Sequence, residues 1–168
     1  PADPAYELLK DLGTVSGLRY LDKTFGIEND RAVGPYAVAS HSTQLPVVLG
    51  NQALAVVRSL RLRVGDDVAT AHQAGRVAGV SLELTTTGSA LSDAIAVQLN
   101  GMRLRFRAET PCSTQSYVDS HSHHYDVPPA LLHHGDNTVA VWIEGRTDRS
   151  GPSVTLDKVW LNVNYAGE

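Results

Sequence analysis

Sulfur is almost absent from this chain: Cys112 is the only cysteine and Met102 the only methionine in 168 residues. A single thiol closes no internal disulfide, so a disulfide-stapled scaffold is excluded and the redox compartment stays open. A basic excess is missing too. Fourteen Lys and Arg stand against 18 Asp and Glu, a formal net charge of -4, which argues against a nucleic-acid partner. No apolar run approaches the roughly 20 residues that span a bilayer, so no membrane partner is expected. Gly-x-Ser-x-Gly, a phosphate-cradling glycine loop, a Cys-His motif and an Asn-x-Ser/Thr acceptor are all absent. What remains, 42% hydrophobic and 19% charged residues, is the composition of an ordinary globular domain with enough chain for one good core. The chain opens on Pro1, with its sole methionine at 102. It is therefore read as a processed product or a segment of something longer.

The strongest local signal is DAIAVQLNGMRLRFR, residues 93–107. Asn100-Gly101 places both turn residues at positive φ, as a two-residue type I′ hairpin requires. That turn sets Leu99 against Met102, Val97 against Leu104 and Ile95 against Phe106 on one face. Arg103, Arg105 and Arg107 fall on the other, solvated face.

Apolar alternation predicts further strands over 45–49, 57–64, 77–86, 123–127, 138–144 and 154–165. In the last of these the apolar parity changes between Leu156 and Val159, so Asp157-Lys158 must hold a β-bulge. Residues 108–122, with Pro111 and no periodicity, read as a long loop of the kind that carries function. The first thirty residues differ. Tyr6, Leu8, Leu9 and Leu12, then Leu18, Leu21 and Phe25, fall at helical spacing, with Gly13 and Gly26 as stops. The chain thus divides into a helical appendage and linker, 1–44, and an all-β sandwich, 45–168.

The ordered segments VGDDVATA (64–71), VSLELT (80–85), IAVQLNG (95–101), YDVPPALLHHGDNTVAVWI (125–143) and VTLDKVWLNVNY (154–165) resemble the galactose-binding-domain-like β-sandwich. The resemblance is to accessory domains of bacterial glycoside hydrolases and covers residues 45–168. It implies a jelly-roll sandwich, a secreted or extracellular setting, and a non-catalytic role gripping glycan or bracing a catalytic domain. It also implies that some members hold a structural calcium.

Sugar binding needs flat rings against pyranose faces together with a few polar groups. Trp142 and Trp160 each sit between inward residues and so face away from the core; on neighbouring strands they would form a platform. Cover of that face by the N-terminal segment or by a partner domain is the plainer reading. Tyr117, Asp119 and His121, in the long loop, are the other sugar-binding candidates. His121 and His123 share one side of a strand at metal-ligand spacing, but the glutamate that would complete a cupin-type site is missing. Asp66, Asp67, Asp136 and Asn137 are turn residues able to supply calcium if their loops meet; turn chemistry alone also accounts for them.

Three functions follow from these residues. The first is a glycan-binding or supporting accessory module of a glycoside hydrolase. The second is a structural module for domain docking or oligomerisation. The third is a metal-dependent enzyme built on His121 and His123.

Overall fold

A computed structural model describes residues 6–15, 18–28, 44–51, 56–89, 93–111, 120–146 and 153–166. In chain order the strands are β1 (Tyr6–Val15), β2 (Leu18–Glu28), β3 (Val47–Gly50), β4 (Arg58–Val64), β5 (Val77–Thr87), β6 (Ala94–Leu99), β7 (Met102–Arg103), β8 (Arg105–Pro111), β9 (Ser120–Asp126), β10 (Gly135–Gly145) and β11 (Val154–Tyr165). One helix, α1 (Val68–Gln73), and one 3-10 turn, Pro129–Leu131, join them. All strand pairings are antiparallel. The larger sheet runs β1-β2-β11-β5-β9-β8, with β3 also on β11; the smaller runs β4-β10-β6-β7.

The all-β expectation holds, and its cause is the period of two. Val80, Leu82 and Leu84 from β5, and Val159, Leu161 and Val163 from β11, are buried against Leu60, Leu62, Val139, Val141 and Ile143 of the smaller sheet. Each such side chain contributes about 1.5–3 kcal/mol by leaving water. The parity change in β11 is absorbed where the sequence requires it, since the register with β5 shifts between Leu156 and Lys158. Asp157, the extra residue, accepts a hydrogen bond from the Thr87 hydroxyl.

The N-terminal helices are corrected: residues 6–15 and 18–28 are strands. Leu18, Leu21 and Phe25 fit a helical stripe by spacing, but β2 finds its hydrogen-bond partners on the open edge of β11. Phe25 and Ile27, two apart, then enter the shared core. Gly26, expected to end a helix, lies mid-strand opposite Trp160.

The hairpin is half as long as its pattern. Asn100 (φ 51°) and Gly101 (φ 86°) make the positive-φ turn, and Leu99 pairs Met102 as expected. Leu104 still meets Val97 through its amide, 2.9 Å from the Val97 carbonyl. There the chain leaves the smaller sheet, and Arg105–Pro111 pairs with β9 in the larger one. Phe106 consequently meets Tyr125 edge-on, with centroids 5.7 Å apart, instead of facing Ile95. The expected loop over 108–122 is shortened at both ends by β8 and β9.

The turn residues that carry the resemblance are tied to one another. The Asn100 amide donates to the Leu131 carbonyl (2.7 Å) and to Asn137 Oδ1 (2.9 Å), while its Oδ1 accepts from the Thr138 amide (2.9 Å). Buried Asn137 in turn donates to the carbonyls of His133 and Gly135, 2.9 and 3.1 Å away, and accepts from the His133 amide. Asn137→Ala strands these buried groups, and each group left so costs about 1–3 kcal/mol. Thermal unfolding should register the loss as a lower midpoint with the fold unchanged by circular dichroism.

Candidate binding groove on the larger sheet

The outer face of the larger sheet carries a depression of about 420 Å³, within the size range of small-molecule sites. Strand alternation builds it. Trp160, Asn162 and Asn164 follow one another at two-residue spacing on β11, opposite their inward neighbours Val159, Leu161 and Val163. Register sets Ser81 of β5 beside Asn162, with Thr24 of β2 on its other side. Gly26 and Glu83 flank Trp160, and Gly79 lies opposite Asn164. Gly79 keeps the space beside Asn164 clear, since a Cβ there would meet nothing within 4 Å. Arg107 lines the far side.

Lys158, two residues before Trp160, holds its ammonium 3.7 Å from the indole centroid. Such a contact fixes the ring. Asn162 and Asn164, which line the depression, lie beyond Trp160 in the other direction along the strand. Glu83, the only carboxylate lining it among the described residues, accepts from Ser122 (3.2 Å) and lies 3.6 Å from Lys158. The Arg107 guanidinium is spent on Asp126.

Trp142 lies elsewhere. It points outward from β10, in the smaller sheet, so the two tryptophans occupy opposite faces of the sandwich and form no common platform. Sequence alone does not reveal which sheet a strand joins. Tyr117 and Asp119 lie outside the described residues. His121 is buried on the inner side of β9 and hydrogen-bonds Ser89 through Nδ1 at 3.2 Å, so it offers no surface to a sugar.

That histidine belongs to a polar cluster at one end of the sandwich. Thr86 Oγ1 bonds Ser89 (2.7 Å) and His123 Nε2 (2.9 Å). Glu109 lies directly across from His123 in the register of β8 and β9. Neither His123 Nδ1 nor Glu109 Oε2 has a hydrogen-bond partner among the described residues. Burial, then neighbouring His121 and His124, push the His123 imidazole down to about 4. Burial, then the nearby Asp93 charge, push the Glu109 carboxyl up to about 7. Alongside, Arg146 Nε donates to Asp93 Oδ2 at 3.0 Å, with side-chain exposures of only 1% and 0%. The Arg146 guanidinium also donates to the carbonyls of Gly88 (3.1 Å) and Asn51 (3.4 Å).

The calcium candidates do different work. Asp66 accepts from Tyr165 (2.7 Å) and pairs with Lys23 (3.0 Å). Asp67 caps α1, accepting from the Thr70 amide and hydroxyl at 3.2 and 2.8 Å, and those bonds hold its carboxyl below the usual carboxylate range. Asp136 is exposed at the start of β10, and Asn137 is committed to its turn. Among the described residues no three His, Cys, Asp or Glu side chains are gathered to hold a metal ion. No described helix is long and apolar enough to cross a membrane.

Sequence reasoning singled out Trp160 but not Asn162, Asn164, Ser81 or Thr24. The available signal was Trp-x-Asn-x-Asn, three polar-edged residues at the spacing that shares one sheet face. The buried Asp93–Arg146 pair left no mark in the sequence, because its partners are 53 residues apart. No protein-family model matches the chain, and no curated protein matches it.

Proposed function

We propose that this chain is a non-catalytic carbohydrate-binding module that takes glycan in the groove beside Trp160. One observation carries the reading: a tryptophan stands at a depression whose other polar groups are mostly amides and hydroxyls. Flat ring plus fixed hydrogen-bonding groups is the pairing that sugar recognition needs. A hydrolytic role has less support, since two carboxyl groups facing across a cleft are required, and Glu83 is the one carboxylate among the described residues that line the groove. On this reading the sandwich is a galactose-binding-like jelly roll serving a secreted glycoside hydrolase, as the ordered motifs imply. The Asn100–Asn137 knot gives two of those motifs, Leu-Asn-Gly and Gly-x-Asn, a shared structural reason.

Affinity electrophoresis in gels of soluble plant and microbial polysaccharides tests it. Retardation by at least one glycan is expected. Trp160→Ala should weaken it by tenfold or more, as aromatic anchors cost about 2 kcal/mol or more on truncation. Trp142→Ala, on the opposite face, should leave it intact. Equal loss from both variants, or no retardation in any gel, rejects the assignment.

Docking against a neighbouring domain is favoured by a different feature. Where the hairpin divides, Met102 and Phe106 are each 51% exposed. Beside them lies a hollow of about 340 Å³ lined by Ile95, Ala96, Leu104, Phe106 and Tyr125 together with Arg103 and Arg105. Self-association that Phe106→Ser abolishes, with glycan retention unchanged, assigns that surface to protein contact.

A further inference from the structure

We infer that the groove selects neutral oligosaccharide, bound along β11 from Trp160 towards Asn164; this rests on the glycan-binding reading above. The argument turns on which polar groups in the groove remain unused. Ser81 and Asn164 hydrogen-bond no described side chain or backbone group outside the strand ladder, although both line the depression. Asn162 is half-committed: its Oδ1 accepts from the Thr24 hydroxyl at 2.8 Å, which leaves the two N–H donors of its amide facing the groove. The free complement is thus hydroxyl and carboxamide, groups that both donate and accept. That is the complement a sugar hydroxyl requires.

The charged groups, by contrast, are engaged. Arg107 bonds Asp126, Glu83 is held by Ser122 and Lys158, and the Lys158 ammonium also lies against the indole. An acidic glycan would have to draw Arg107 or Lys158 out of these pairings; a neutral one need not. The length of the site follows from strand geometry. Asn164 lies four residue steps beyond Trp160, roughly 14 Å at about 3.4 Å per residue. That is room for a short run of rings rather than one. The first ring stacks on the indole, whose position Lys158 fixes, and later rings reach Asn162, Ser81 and Asn164.

Isothermal titration with galactomannan, xyloglucan and mixed-linkage β-glucan as neutral probes, and polygalacturonate and heparin as acidic ones, tests this at low and high salt. Binding of a neutral probe that salt does not weaken is expected, because no ion pair forms with it. Asn164→Ala and Ser81→Ala should each reduce affinity about three- to tenfold, the effect of one hydrogen bond. Their urea midpoints should match the unmodified protein, since neither side chain is bonded to another described group. Binding only to acidic probes, lost in high salt, overturns the neutral class while leaving glycan binding standing. Neutral binding that Trp160→Ala weakens, but Asn164→Ala and Ser81→Ala do not, overturns the path along β11 and keeps the groove. No binding to any probe removes the underlying reading as well.

Discussion

Arg146→Leu should lower the unfolding free energy by about 3–5 kcal/mol, the cost of leaving one member of a buried ion pair without its counter-charge. The site meets the conditions for that cost. Both side chains are excluded from water, and the same guanidinium satisfies the Gly88 and Asn51 carbonyls. One arginine therefore ties the end of β3 and the end of β5 to the end of β10. Asp93→Leu alone buries the guanidinium without its carboxylate and should cost a similar amount. The double variant Asp93→Leu/Arg146→Leu removes both charges and should be far less damaging than the sum of the two. Urea unfolding of the three variants decides the matter. Additive losses would show that the pair acts as packing, not as coupled charges.

The second large effect is a pair of opposite pH slopes hidden inside a level profile. The His123 imidazole, held near 4 against an ordinary 6.5, stays neutral in the fold while the unfolded chain would protonate it. Its depressed value makes it a source of stability that is lost as pH falls from about 6.5 towards 4. Glu109, held near 7 against an ordinary 4.5, stays protonated in the fold while the unfolded chain would ionise it. Its raised value makes stability fall as pH rises from about 4.5 through 7. Between those limits the folded and unfolded chains hold the same number of protons on this pair, so its net contribution is flat. His123→Gln exposes the Glu109 slope, and stability relative to the unmodified protein then declines with rising pH. Glu109→Gln exposes the histidine slope, and relative stability climbs with rising pH, by on the order of 3 kcal/mol across the full window. Denaturant midpoints at several pH values from 4.5 to 6.5 give the two difference curves. Curves of the same sign would contradict the assignment.

The strands were legible wherever burial is one-sided. Alternation placed β4, β5, β10 and β11 within a few residues, and the parity change at Asp157 was visible as a bulge before any register was known. Alternation is silent about which sheet a strand joins. It extended the hairpin through Phe106, because Leu104 and Phe106 continue the pattern; yet Leu104 is buried between the sheets, while Phe106 already belongs to the other one. The N-terminal segment was misread for a related reason. Leucines three and four apart satisfy a helix, and nothing local reveals that β11 has an open edge to receive β2. The six residues of α1 are too few to show a helical stripe and carry no element in the sequence reading; Asp67 reads there as a turn residue, and capping is its use. At the groove, Trp160 was found by its outward parity. Its polar companions come from three strands, and only pairing brings them together.

The single-residue passage at Leu104 has a mechanical corollary. Between Arg103, hydrogen-bonded in one layer, and Arg105, hydrogen-bonded in the other, there is no slack for the layers to slide or part. Tyr125 adds a rivet a few ångströms away, its hydroxyl donating across the interior to the Ile95 carbonyl. Shear applied along this seam therefore falls on covalent backbone.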